Sequence, residues 1–320
     1  MSEQTAALTG PVVITEPGVY DIPAANYHDD PVPGGSLSST GARQLLACPA
    51  RYRYDQDHPA APKTAFDVGS AAHRLVLGAG PELVRIDADE WRSNAVKAMV
   101  ADVRARGAVP LKPAEWAQVH GMAAAIRSHP LAAALLQSGT GAAEQTLAWQ
   151  DGATGVWCRA MVDWLPHAQP GRRMVIVDYK SAITADPREF CRSVANYGYH
   201  IQEAHYLDGV AALGLDPTPA WKFVVQEKTA PYLVSVVQLD ESFRAVGRSR
   251  ARLAREIYRD CEESGMWPGY PAEVATLSPP RWLLGMSGDE TYNGRGGAVP
   301  HSWLLDEWPL CTNINDEETP

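Results

Sequence analysis

Between Glu144 and Lys180 the chain reads as three consecutive strands, and each of them carries an acid. Glu144-Gln145-Thr146-Leu147-Ala148-Trp149 is followed by Gln150-Asp151-Gly152-Ala153, which holds the Asp-Gly hairpin signal. The return run, Gly155 to Leu165, alternates in the way a half-buried strand does. Val156, Cys158, Ala160 and Val162 take one face, while Trp157, Arg159, Met161 and Asp163 take the other. A Pro/Gly loop, Pro166–Arg173, then leads into Met174-Val175-Ile176-Val177-Asp178-Tyr179-Lys180. Residues two apart on a strand share a face, so Asp178 and Lys180 stand together, about 7 Å apart along the strand. Val175, Val177 and Tyr179 turn the other way, toward a core. Alone, an Asp-x-Lys at a strand end is most often a surface ion pair. As the third strand of a meander, its carboxylate can converge with Glu144 and Asp163 at one edge. A carboxylate beside an ammonium suits metal-assisted phosphodiester hydrolysis. The acid holds a divalent cation, and the lysine orients water or neutralises charge in the transition state.

The flanking segments supply further polar groups at helical spacing. Upstream, the stretch from Phe66 to Leu77 reads as a buried helix on which Gly69 and His73, four apart, share a face. A single helical histidine is usually structural, and only its company changes that. Downstream, Asp186-Pro187 has the chemistry of a helix start, with Asp as cap and Pro first in the helix. A second helix begins at Tyr199, and its Tyr199, Gln202 and Tyr206 line one face, where they can bond phosphates or bases or orient Lys180. Strands are expected over Trp221–Glu227 and Tyr232–Leu239, then a long helix over Glu241–Glu263. That helix bears Arg244, Arg248, Arg250, Arg252, Arg255 and Arg259, a solvated face by default and a phosphate track in the alternative.

The ends and the N-terminal half are less informative. Residues 1–35 read as an extended arm with at most a short strand near Val12–Ile14. Ser38 caps a helix that stops before Cys48-Pro49. Arg43, Arg51 and Arg53 with Tyr52 and Tyr54 form a basic-aromatic patch that either touches nucleic acid or is a solvated helix end. Residues 90–137 are helical, capped at Asp89 and interrupted near Gly107–Pro113. From Trp267 the chain turns irregular and ends acidic, so the expected division is an arm 1–35, one domain 36–268 (a helical part 36–140 and a catalytic core 141–268) and a tail 269–320.

Composition narrows the classes of function. A net charge of −10 argues against a protein that coats nucleic acid uniformly, yet a site that grips phosphates needs positive charge only locally. No apolar run approaches the ~20 residues of a membrane span, and the first residues, MSEQTAALTG, do not resemble a signal peptide. The expectation is a cytoplasmic protein with no membrane partner. Cys48, Cys158, Cys191, Cys261 and Cys311 are scattered, with no CxxC. A GxxxxGK[ST] motor motif is missing; His200 and His205 stand five apart, not the four that zinc requires on one helix face; and Gly285-Met-Ser-Gly-Asp289 lacks the last glycine of a nucleophile elbow.

The order GxxxH on a helix, Glu on a strand, Asp on the next, DxK on the third and QxxxY on the following helix resembles the PD-(D/E)xK nuclease superfamily, in its RecB/RecE-like branch. GVYDIPAANYH, LSSTGARQLLACPARY and VVQEKTAPYLVSVVQLD look like the phage and prophage exodeoxyribonuclease VIII (RecE) type, and the resemblance spans roughly residues 17–270. It implies an α/β fold: a restriction-endonuclease-like core with a central mixed sheet flanked by helices (order αβββαβ), carrying an N-terminal helical elaboration. It implies that Asp163 and Asp178, with the Tyr179 carbonyl and His73, bind Mg²⁺ or Mn²⁺, two ions per site. Glu144 would support the second ion or its water, Lys180 would orient the attacking water, and Gln202 and Tyr206 would contact DNA with Arg43 and Arg159. The position two before Asp163, often basic in relatives, is Met161 here, and Arg159 on the same face would replace it. Some relatives hold an iron–sulfur cluster with four cysteines. Cys48 is near the usual first position but Cys261 alone cannot supply the rest, so no cluster is expected. The implied activity is exonucleolytic hydrolysis of linear duplex DNA for phage-type recombination, by a homo-oligomer such as a ring tetramer, with a single-strand annealing protein as partner, in the bacterial host cytoplasm. The alternatives are a DNA-end-binding protein that kept the fold without activity, and a 3′-directed exonuclease or an endonuclease on the same core.

Overall fold

The computed structural model describes residues 12–59 and 68–278. It separates into a unit that ends at Gly269 and a remainder that begins at Tyr270, of which residues 270–278 hold neither helix nor strand. Phe66, Asp67, Cys311 and most of the expected tail lie outside the described residues.

In chain order the elements are β1 (Gly18–Tyr20), α1 (Ala24–His28), α2 (Ser39–Ala47), α3 (Pro49–Asp57), α4 (Val68–Leu77), β2 (Leu83–Arg85), α5 (Asn94–Ala105), β3 (Val109–Leu111), α6 (Pro113–Ser128) and α7 (Pro130–Leu135). They continue as β4 (Gly141–Gln150), β5 (Trp157–Pro166), β6 (Val175–Ala182), α8 (Pro187–Asn196), α9 (Tyr199–Ala212), β7 (Ala220–Glu227), β8 (Val234–Val237) and α10 (Glu241–Ser264). One six-stranded sheet has the order β1-β4-β5-β6-β7-β8, antiparallel except for the parallel β6–β7 pair. The expected meander β4-β5-β6 is its centre, and the α8–α9 crossover makes β7 parallel to β6.

The alternation in β5 is realised in full. Val156, Cys158, Ala160 and Val162 enter the main core, which α2, α8, α9 and α10 cover with Leu45, Phe190, Val210 and Ala254. The opposite face of β6 is buried as well, because Val177 and Tyr179 pack with Ala72 of α4, Met122 and Ile126 of α6, and Ala132 of α7. β6 therefore runs between two apolar layers, as a strand with a parallel neighbour usually does. The approach of α10 to α9 is close enough that a Cβ at Gly247 would overlap the His200 carbonyl oxygen. Only glycine lets the two backbones meet there.

Three expectations shift. The N-terminal strand is β1, not Val12–Ile14, since the Ile14 N–H donates to the Pro31 carbonyl and its side chain is buried beside Ile22, Tyr27 and Val32. β1 pairs with β4, so part of the expected arm belongs to the sheet. Ser93, not Asp89, caps α5, its hydroxyl accepting from the Val96 N–H. The expected interruption near Gly107–Pro113 is a strand, β3, paired in parallel with β2, a strand that was not expected. The caps at Ser38 and Asp186 stand where the sequence puts them, accepting from Gly41 and Arg188 N–H.

Candidate active site

The sheet comes apart between β5 and β6. The two strands share one pair, Trp164 with Val177. Beside it the Asp163 Oδ2 accepts the Tyr179 N–H at 2.8 Å, so a side chain takes the place of a ladder carbonyl. Across β4, Ala143 pairs with Trp164 and Gln145 with Val162, which sets Glu144 opposite Asp163. Glu144 adopts φ 50°, a left-handed conformation that a non-glycine residue inside a strand rarely takes. Such local strain is most often found where a side chain has a task.

α4 brings His73 to both acids. Its Nε2 lies 3.2 Å from Asp163 Oδ2 and its Nδ1 3.4 Å from Glu144 Oε1. Burial opposes an imidazolium, but the charge of Asp163 and the bonds to both carboxylates prevail, and the His73 pKa rises to about 10. For Asp163, burial pushes the carboxyl up, and His73 more than reverses it, so that the acid stays ionised. The His73 ring also stands 5.9 Å from that of Tyr179, whose hydroxyl donates to Gln226 Oε1 at 2.6 Å.

Asp178 sits on the other side of the split and is 1% exposed. Lys180 Nζ lies 3.0 Å from Oδ1 and 2.7 Å from Oδ2, and Gln202 Nε2 donates to Oδ1 at 2.6 Å. Oδ2 has the ammonium near it but no hydrogen bond in acceptable geometry. Burial, joined by the negative charge of Asp163 and opposed by Lys180, raises the Asp178 pKa to about 6. A buried carboxylate oxygen without a hydrogen bond, next to a second ionised acid, is an incomplete arrangement for a neutral interior and a suitable one for a hard cation. Among the described residues no three His, Cys, Asp or Glu side chains already converge as a metal cage. Instead His73 and Lys180 supply the positive charge that balances the acids. A divalent ion fits this donor set if it takes over that role.

The residues expected at DNA divide. Gln202 is in the site. Tyr206 is buried, hydrogen-bonded to Tyr27 and Ser39, and cannot stack on a base. Arg159 is also buried: its Nη1 is paired with Asp30 Oδ2 at 2.5 Å and donates to Ser36 Oγ at 2.9 Å, and its guanidinium lies over the Tyr27 ring. It holds the N-terminal segment, not phosphate. Arg43 donates to the Tyr197 carbonyl. Of the arginines on α10, Arg244 pairs with Glu203, Arg248 with Glu241, Arg252 with Glu256, Arg255 with Asp151 and Asp208, and Arg259 with Asp260. Five of the six expected arginines are thus in ion pairs, three of them with acids of α10 itself and Arg244 and Arg255 with acids outside it, which favours the solvated-face reading over a phosphate track. Tyr199, expected on the same helix face as Gln202, turns its ring toward Lys180 Nζ at 4.9 Å.

Comparison with known proteins bears on the family and the fold. A family model described as a PDDEXK-like domain of unknown function (DUF3799) matches residues 38–278. No curated protein matches the chain significantly. Among solved structures, a candidate exonuclease from Eubacterium rectale superposes with a TM-score of 0.51 at 12% identity, over 85% of this chain and 100% of that one. At that identity the likeness concerns the fold. The structure of SSO0001, at 12% identity and a TM-score of 0.25 over 68% of this chain and 83% of the other, carries no argument.

Proposed function

We propose that this chain, which belongs to the PDDEXK-like family DUF3799, is a divalent-metal-dependent nuclease that degrades linear duplex DNA from its ends. The observation that carries the reading is Asp178: buried, with one carboxylate oxygen lacking a hydrogen bond, and flanked by Lys180 and the ionised Asp163. Asp163, Asp178 and the Tyr179 backbone would hold the cation, with Glu144 in support. When bound, Mg²⁺ or Mn²⁺ would polarise the scissile phosphate and lower the pKa of water. The chain's own groups do the rest. Gln202 fixes the Asp178 carboxylate by its Oδ1. Lys180, held between Asp178 and the Tyr199 ring, is placed to orient a water and to meet the charge that develops on phosphorus oxygens. His73 bridges Glu144 and Asp163, and a bound cation would take over the charge balance it supplies there.

End resection for recombination, assembly into a ring and work beside an annealing protein extend this reading, in line with the sequence resemblance. The test is degradation of end-labelled linear duplex against covalently closed duplex with Mg²⁺, for wild type and Asp178→Asn. Loss of label from linear DNA alone, abolished in the variant, is expected. Equal cleavage of closed DNA would make it an endonuclease. An Asp178→Asn protein as active as wild type would end the assignment.

A further inference from the structure

α4 carries His73 inward and Arg74 outward. Beside Arg74, between α4, α6 and β2, lies a groove of about 280 Å³ whose walls include Trp116 and His120 of α6, Leu75, Leu83 and Glu82. Trp116 and His120 are one helical turn apart, and their rings meet at a tilt of 39° with centroids 4.4 Å apart. Trp116 is half-buried against Ala71 and Val119, which fixes the indole, while His120 is exposed. Arg74 is anchored by its Nε on the Pro81 carbonyl, and Glu82 is engaged with Arg106 at 3.6 Å. The groove adjoins the acids through one thin turn. A Cβ at Gly80 would lie 3.3 Å from Arg74 Cδ and 3.7 Å from Glu144 Oε1, and Gly80 has φ 106°.

We propose that this groove binds one unpaired nucleotide of a DNA strand beside the scissile phosphate, its base stacked on Trp116 and its phosphate near Arg74. The proposal rests on the nuclease reading and adds a substrate feature to it, a single-stranded segment at the cut. An aromatic face supported by a cation is the pattern that holds single-stranded nucleic acid without reading sequence. The volume matches a nucleotide and not a base pair. The wall offers π faces and charge, with few groups that could read a base edge.

The test is fluorescence anisotropy of labelled duplexes, one blunt and one with a short single-stranded tail, in EDTA so that nothing is cut. Wild type is expected to prefer the tailed duplex. Trp116→Ala is expected to weaken tailed binding about tenfold and to leave blunt binding unchanged, with Trp116→Phe restoring it. The exposed His120→Ala, which does not endanger folding, is expected to weaken the tailed duplex several-fold. Equal weakening of both duplexes, unchanged binding by all variants, or no binding of tailed DNA by wild type would overturn the proposal. Cleavage of linear DNA by wild type in Mg²⁺ is scored separately: cleavage with tail binding indifferent to Trp116 removes only the groove, and tail-selective binding without cleavage removes only the nuclease reading.

Discussion

The Asp163 carboxylate accepts the Tyr179 N–H at 2.8 Å, and by doing so holds β5 and β6 apart where the acids gather. The bond separates two roles of one residue. Asparagine can keep the bond through its amide oxygen but not the charge. Asp163→Asn is therefore expected to keep the split while losing the ion pair with His73, to be less destabilised than Asp163→Ala, and to lose nuclease activity by roughly 10²–10³-fold, the scale on which one preorganised electrostatic group acts. Asp163→Ala also orphans a buried N–H and should lose about 1–3 kcal/mol of stability besides. Urea unfolding and initial rates on the two variants check this. An Asn variant as unstable as the Ala variant would show that charge, not the bond, maintains the split.

Tyr199 holds its ring 4.9 Å from the Lys180 ammonium and packs against Phe190 and Phe223. Phenylalanine preserves the π face, and leucine does not. A cation–π contact is worth about 0.5–2 kcal/mol. Tyr199→Leu is expected to lower kcat between about twofold and thirtyfold with KM little changed, and Tyr199→Phe to remain close to wild type. Loss in both variants alike would point to the hydroxyl instead.

His205 is completely buried, with its ring against Trp149 and its Nε2 3.2 Å from the Arg159 carbonyl. Burial, reinforced by the charge of Arg255, lowers its pKa from 6.5 to about 3. The unfolded chain thus takes up a proton that the folded chain refuses. The contribution is fully present above pH 6.5 and is lost as pH falls toward 3. Glutamine can still donate to the Arg159 carbonyl but does not titrate. Relative to wild type, His205→Gln should be least favourable at pH 7 and should gain between pH 6.5 and 4.5, as read by urea unfolding at both values. Parallel stability curves would contradict this.

The sequence displayed what depends on period and on caps, and concealed what depends on depth. Val156, Cys158, Ala160 and Val162 could be assigned to one face because a strand repeats every two residues, and Ser38 and Asp186 because a cap needs a side-chain oxygen at one position. The order from His73 to Gln202 pointed to the fold, since the elements bring those residues to one split in the sheet. Depth left no such trace. Tyr206 shares a helix with Gln202, yet one residue reaches Asp178 and the other is sealed by Tyr27 and Ser39. β2 and β3, three residues each, are too short to show a period. The left-handed Glu144 was hidden because glutamate is not a residue that announces a positive φ.

The buried Arg159 pairs with the partly buried Asp30 and so ties the N-terminal segment to β5, with Ser36 completing the pair: the Ser36 N–H and hydroxyl donate to Asp30 at 2.7 and 2.8 Å. Removing one partner of such a pair strands the other charge in the interior, which typically costs about 3–5 kcal/mol. Asp30→Ala is expected to lower stability on that scale, although it adds no positive charge at any DNA-facing surface and removes none. Arg159→Met, which keeps much of the volume, leaves Asp30 without its cation, and because Asp30 is partly exposed and held by Ser36 the loss should be smaller. If Arg159 touched phosphate instead, Arg159→Met alone would flatten the salt dependence of DNA binding, reducing the slope by about 1 for a single phosphate no longer neutralised. The geometry predicts unchanged salt slopes for both variants at temperatures where they are folded, with the damage confined to the unfolding midpoint. A reduced slope in Arg159→Met with normal stability would return the residue to the DNA interface.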